Sequence, residues 1–231
     1  MRGISTLILA GASLAGPAAA APWVREEGGW YSRALVAHDR LDGASGWRTD
    51  LYGEYGLTPK LTVTAKSERV TFEGAAEFNR DSYRLTLRRE LFAHRGWVGG
   101  IEAGAVHGST VTGADRACDG AGFETRLGTG WSGVSKEGRA RYAFADIARI
   151  EQQGGCTRNR IEFGYGTDLA ERIFLTEQLW LEDGTRSARS VKAETQLGVR
   201  FSEFDVSLGY RQEYGGLFSE RAVLVAVVAR R

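Results

Sequence analysis

Polar and apolar residues trade places at every second position along most of this chain. In Trp47-Arg48-Thr49-Asp50-Leu51-Tyr52-Gly53-Glu54-Tyr55-Gly56-Leu57 the odd positions are mostly apolar or aromatic, and the even ones carry Arg48, Asp50 and Glu54. A strand puts such sets on opposite faces. The same alternation runs through Ile161-Phe163-Tyr165 against Arg160 and Glu162, Val191-Ala193-Thr195-Leu197 against Lys192 and Glu194, and Val206-Leu208-Tyr210 against Asp205 and Arg211. Helical spacing is not sustained anywhere after Trp30. The runs predict strands over 28–40, 46–57, 60–72, 77–92, 96–108, 121–133, 138–152, 158–169, 172–183, 187–201, 204–214 and 219–230.

The segment before the first run is of another kind. Arg2 is followed by an apolar stretch from Ile4 to Leu14, then Gly16-Pro17 and the small residues Ala18 to Ala21, the order of a secretory signal peptide. A cut after Ala20 fits best, because a cut one residue later would set Pro22 against the scissile bond. Residues 1–20 are therefore expected to be a leader and 21–231 the mature protein. The apolar core falls short of the roughly 20 residues that a spanning helix needs. An exported domain or a protein that crosses a membrane by strands remains.

Alternate connections are short, as at Thr58-Pro59-Lys60, Ala93-His94-Arg95, Ala170-Glu171 and Ser202-Glu203, whereas Ser109 to Gly120 and Gln153 to Thr157 are longer or richer in Gly and polar residues. Short turns on one side and longer loops on the other, joining about twelve strands, are the pattern of an outer-membrane barrel. Closure also removes the two unpaired edges that an open sheet of this size would leave. Aromatic placement separates this reading from a soluble sandwich. Trp30, Tyr55, Phe92, Trp97, Trp131, Tyr165 and Phe201 lie near the short-turn ends, and Trp47, Phe123, Trp180 and Tyr214 near the long-loop ends. Membrane interfaces select two such girdles. The expected fold is thus all-β, an antiparallel up-and-down transmembrane β-barrel of about twelve strands, with the outer membrane as its location.

The net charge of +1 gives no reason to expect a nucleic-acid partner, and 31 glycines with only three prolines suit strands and tight turns. Charge matters by position instead. The face opposite the apolar one lines the lumen, with Arg48, Glu54, Arg80, Arg84, Arg88, Glu102, Arg126, Arg158, Arg160, Glu162, Lys192, Glu194 and Arg211 as candidate selectivity residues. Arg139 and Arg141 read as inward too. These groups pair with one another, stay wet, or form charged rings that select a solute. Arg80, Arg84 and Arg88, four apart on one face, would make a basic ladder for anions. Asp146 and Glu177 fit poorly, because strict alternation sets both on the lipid side unless a bulge turns them inward.

Cys118 and Cys156 are the only cysteines, and an even count in an exported chain favours a disulfide. No metal site is expected, since neither has a ligand at metal spacing, and no cofactor is implied. Gly128-Thr129-Gly130-Trp131-Ser132-Gly133 matches a dinucleotide fingerprint, but no βαβ unit surrounds it. Alternate glycines, repeated at Gly164 and Gly166, read better as room for large neighbours. His107-Gly108-Ser109 resembles the His-x-Ser element of outer-membrane lipid hydrolases such as the phospholipase and the lipid A deacylase. That resemblance implies a base and a hydroxyl nucleophile presented to lipid, with Asp115, Asp119 and Glu124 as the nearby acids.

Over Trp30 to Arg231 the chain resembles small Gram-negative porin-like or transporter-like barrels. The run Tyr55-Gly56-Leu57-Thr58-Pro59-Lys60-Leu61-Thr62-Val63 is similar to the YGLT-x-x-LT turn frequent among them. The resemblance, which extends to barrels linked to small hydrophobic-substrate uptake, implies a passive channel or solute-uptake barrel with outer-membrane lipid and the outer-membrane assembly machinery as partners. The inward Arg and acidic residues point to small polar or anionic solutes, and no segment is left over for a plug. One departure is the end, Val227-Val228-Ala229-Arg230-Arg231, where such barrels usually close on an aromatic residue. A lipid hydrolase using His107 and Ser109 and a closed structural or surface-interaction barrel are the alternatives.

Overall fold

A computed structural model describes residues 22–112, 115–185, 189–215 and 218–231, so the expected leader over 1–20 lies outside the described residues. Fourteen strands follow one another: β1 (Trp30–Leu41), β2 (Ala44–Thr58), β3 (Leu61–Phe72), β4 (Arg80–His94), β5 (Trp97–Gly108), β6 (Thr110–Thr112), β7 (Asp115–Cys118), β8 (Ala121–Val134), β9 (Ala140–Gln152), β10 (Cys156–Asp168), β11 (Ile173–Gly184), β12 (Ser190–Arg200), β13 (Phe204–Gly215) and β14 (Phe218–Arg230). Twelve of them form one closed antiparallel barrel, in which each strand pairs with its neighbours in sequence and β1 closes on β14. The remaining two, β6 and β7, pair inside the long connection between β5 and β8. That small hairpin is a feature the periodicity does not reveal.

Alternation decides what the wall shows to each side. Leu51, Leu85, Ile147, Leu208 and Val223 are each more than half exposed on the outside, while Arg88, Glu162 and Glu220 are almost fully buried inside. A water-soluble protein would bury the first set. Trp30, Tyr55, Phe92, Trp97, Tyr165 and Phe201 are exposed around one end, and Trp47, Phe123 and Tyr214 around the other. Trp180 departs from that expectation. It shares its parity with Phe174, Thr176 and Gln178 and turns into the lumen, where Lys192 Nζ lies 4.8 Å from its ring.

The register of β9 also corrects the sequence reading. Tyr142, Phe144 and Asp146 face inward and are buried, so Arg141 faces outward and Asp146 reaches the lumen with no bulge in β9. Two large aromatics on the lumen side hide this parity, because they make the inward face look apolar. Both fit because β10 offers Gly164 and Gly166 beside them: a Cβ at either glycine would overlap the Phe144 or Tyr142 ring. Glu177 does remain on the outer face, exposed between Tyr165 and Thr195; nothing in the structure explains it.

Cys118 and Cys156 form the expected disulfide, with Cα atoms 5.7 Å apart, tying β7 to the start of β10. The start of β1 and the end of β14 lie at the opposite end, where the Trp30 N–H donates to the Arg231 carbonyl at 2.9 Å. That end carries the short turns and is the inner one; the loop end is the outer one.

Candidate functional site in the barrel lumen

All thirteen candidate selectivity residues project from the wall into the lumen, and most of them meet an opposite charge there. Burying an ion alone is costly, so paired geometry is what allows so many charges inside. Arg88 donates to Glu54 and Glu102, each at 2.8 Å, and to the Tyr52 hydroxyl at 3.1 Å. Arg126 reaches Glu124 at 2.7 Å, Asp146 at 2.8 Å and Glu162 at 3.1 Å. Arg48 joins Asp39, Glu68 and Glu220, and Arg211 meets Glu194 at 2.5 Å. The expected ladder of Arg80, Arg84 and Arg88 points inward but is neutralised rung by rung, by Glu220, Glu124 and the Glu54–Glu102 pair respectively.

Toward the outer end the fit loosens. Arg158 and Arg160 share one carboxylate, Glu182, at 3.1 and 2.6 Å, and Lys192 stands 3.9 Å from Glu213. A cavity of about 200 Å³ occupies this region. Its described lining holds eleven arginines and lysines against seven aspartates and glutamates. Asp39, Asp146 and Glu220, just behind that lining, neutralise Arg48, Arg80 and Arg126, so the basic excess belongs to the outermost ring of Arg158, Arg160 and Lys192. Like-signed walls in a low-dielectric setting focus potential and raise the local concentration of the opposite ion.

The inner end is filled. Residues 22–29 do not lead straight into β1; they fold back into the barrel. Trp23 sits edge-on to Tyr142 and Phe144 at 5.9 and 6.2 Å, and its carbonyl accepts from Arg88 at 3.0 Å. The Arg25 N–H donates to Thr62 Oγ1 at 2.7 Å, and its guanidinium lies 4.7 Å from the Tyr31 ring and pairs with Glu54. Gly28 and Gly29 exchange backbone hydrogen bonds with Gly56, both at 2.9 Å. This segment corrects the expectation that nothing plugs the lumen.

The seat for this strap is written in glycines. A Cβ at Gly100 would stand 2.9 Å from the Pro22 carbonyl oxygen, one at Gly130 2.7 Å from the Trp23 ring, and one at Gly56 would overlap Glu26. Gly128, beside Pro22 and Asp146, completes the set. Two glycines of the rejected dinucleotide fingerprint thus make room for the chain's own first residues. Inward glycines clustered at one end of the strands were the available signal for this segment.

The His-x-Ser pair is not gathered into a triad. β5 ends at Gly108, whose φ of +131° turns the chain. His107 stays exposed beside Tyr83, with ring centroids 6.4 Å apart, while Ser109 is buried and its N–H donates to the Asp81 carbonyl at 3.0 Å. Glu124 is held by Arg126 and Arg84, and Asp119 accepts from the Gly120 N–H. The Asp115 side chain lies outside the described residues.

No protein-family model and no curated protein matches the chain. Solved structures do. An outer-membrane channel from Pseudomonas putida F1 is 11% identical with a TM-score of 0.59, over 90% of this chain and 97% of that one. The NanC porin is 10% identical with a TM-score of 0.58, over 85% and 98%. The KdgM porin is 7% identical with a TM-score of 0.55, over 84% and 97%. At such identities the likeness is one of fold: this is an outer-membrane β-barrel of the kind those channels use.

Proposed function

We propose that the chain is an outer-membrane channel for small anionic solutes, entered through the basic outer vestibule and held nearly shut by residues 22–29. The observation that carries this reading is the outermost ring of the vestibule, where Arg158 and Arg160 share the single carboxylate Glu182 and Lys192 stands 3.9 Å from Glu213. A purely structural barrel has no need of it, since every interior charge would gain by having a partner. The fold likeness to porins and channels supports passage of solute through the interior. Arg158, Arg160 and Lys192 would form the first binding ring, drawing an anion in as charged rings do in selective pores. Passage then needs the strap to yield. Its ties are one ion pair, a few hydrogen bonds and the Trp23 contacts, a small set compared with any barrel strand.

Planar-bilayer recording of the folded protein and of a variant lacking residues 22–27 tests this. The wild type is expected to pass little current and the shortened chain roughly tenfold more, a difference of about 1.4 kcal/mol. Under a potassium chloride gradient the reversal potential should shift toward that of chloride. Silence from both proteins, or a preference for potassium, would sink the reading.

A further inference from the structure

The outer rim of the wall carries an electrostatic anomaly on its lipid side. Arg40 on β1 and Arg221 on β14 are register partners, and both are exposed. Like charges directly opposite each other on a sheet repel, yet neither forms an ion pair with any described residue. The contrast with other outward arginines near this end is direct. Arg69 meets Asp81 at 3.5 Å and Arg149 meets Glu151 at 2.8 Å.

The neighbours of the two arginines do not supply the missing charge. Register extends the row to Gln212 on β13 and Ser45 on β2. Gln212 is already fixed, accepting from the Tyr210 hydroxyl at 2.8 Å and donating to Ser219 Oγ and the Glu220 carbonyl at 3.2 and 3.0 Å. Asp42 is the one carboxylate on the described lining, and its Oδ1 accepts the Ser219 N–H at 3.1 Å, which commits it to closing the loop. Between these groups lies an open hollow of about 410 Å³.

Below the hollow, toward the membrane centre, the surface changes in order. Tyr210, Val223, His38 and Trp47 form the next outward row, and Leu208, Val225 and Val36 the one after it. His38 stacks edge-on against Trp47 with centroids 5.2 Å apart. Cation, then aromatic, then aliphatic is the order of headgroup, interface and acyl chain in a leaflet.

We propose that Arg40 and Arg221 hold the phosphate of an outer-leaflet lipid against the β1–β14 seam, its acyl chains lying along Val36, Val223 and Val225. A phosphate supplies both the missing counter-charge and acceptor oxygens that match two guanidinium forks. The apolar rows directly beneath favour a lipid over a free anion, which would leave them unused. Because the seam joins the first strand to the last, the bound lipid braces the closure of the barrel. The inference needs only the barrel's orientation in the outer membrane, so a protein that conducts nothing leaves it standing.

Native mass spectrometry of the full folded chain in zwitterionic detergent tests the site, with diphosphorylated lipid A as the probe. Wild-type protein is expected to retain one lipid A. R40Q/R221Q should bind at least tenfold more weakly, and R149Q/E151Q should match wild type. R221E gives Arg40 a cross-strand partner and should lose the lipid as well, so it decides the matter should the double variant fail to fold. Equal retention by R40Q/R221Q or R221E overturns the proposal. So does equal binding of dephosphorylated lipid A, or inorganic phosphate binding as tightly as the lipid.

Discussion

The two ends of the lumen are built from the same alternating pattern and behave as different materials. At the inner end Tyr142, Phe144 and Phe174 lean over glycines, and Trp23 and Arg25 close the remaining space. At the outer end, Arg158, Arg160 and Lys192 line a hollow with fewer carboxylates than cations. One end is a protein core that happens to lie inside a barrel; the other is an open, charged vestibule. Closing a sheet of twelve strands therefore does not by itself fix whether its interior conducts. Side-chain volume against backbone glycine decides packing, and charge balance decides what enters the space that is left.

The sharpest way to break this contrast is to remove a cation from each end. Arg88→Ala leaves Glu54 and Glu102 buried without their shared partner, and breaking a buried pair this way costs about 3–5 kcal/mol. Arg158→Ala should cost less, about 1–3 kcal/mol, because Glu182 keeps Arg160 and no carboxylate is left without a cation. Denaturant unfolding in a lipid or detergent host checks both, and equal losses would mean that the two ends are not different in kind. The disulfide is next in size. Reduction, or Cys118→Ser with Cys156→Ser, frees a span of 38 residues and should cost up to about 4 kcal/mol in the chain-entropy view. Because the bridge lies in the outer connections, the strap and its seat should be untouched, and conductance should not rise with the loss of stability.

How much of this is legible in the sequence follows the same division. The strands were legible because lipid and lumen enforce period two on every one of them: 60–72 was expected and Leu61–Phe72 is found, 46–57 was expected and Ala44–Thr58 is found. The inward direction of Arg48, Arg88, Arg126 and Glu162 was legible for the same reason. Parity failed where volume outranks polarity. Tyr142, Phe144 and Trp180 face inward although they are aromatic, and Asp146 was misplaced with the first two. The partners of each arginine were not legible, because cross-strand neighbours depend on the register, which alternation leaves free in steps of two. The strap leaves a different kind of trace in the sequence. Residues 22–29 have no periodicity, and their signature lies in Gly56, Gly100, Gly128 and Gly130, scattered over three strands that only the closed barrel brings together.

That signature offers a gentler perturbation than deletion. Gly130→Val leaves every residue of the strap in place but sets a side chain where the Trp23 ring lies. Overpacking of this kind costs about 1–3 kcal/mol. The strap can relieve it by leaving, since its own ties are few, so the variant should conduct several-fold better than wild type while Gly128→Ala, whose Cβ would stand 3.4 Å from Pro22 Cβ, does so less. A Gly130→Val protein that unfolds more readily yet stays closed would show that the inner end is held by the wall and not by the strap.

The smallest effect belongs to the outer ring and bears most directly on selectivity. Lys192 stands 3.9 Å from Glu213 and 4.8 Å from the Trp180 ring, so it is the cation in the vestibule with the loosest ionic partner. Near a surface, a unit charge acting on an ion about 8 Å away contributes roughly 0.5–2 kcal/mol, depending on how much water lies between. Salt reduces this further over the same distance, since screening acts within about 8–10 Å. Lys192→Gln should therefore lower the preference for chloride over potassium by about twofold at low salt and by less at 1 M, with the single-channel amplitude of the strap-free barrel almost unchanged. Arg126→Gln offers the matching control from deeper in the lumen. Its charge is already neutralised by Glu124, Asp146 and Glu162, so its loss should unsettle the fold and shift ion preference toward cations through the carboxylates it uncovers. If both substitutions instead shift preference equally and with the same dependence on salt, the vestibule has no special standing, and net charge summed over the whole interior governs what passes.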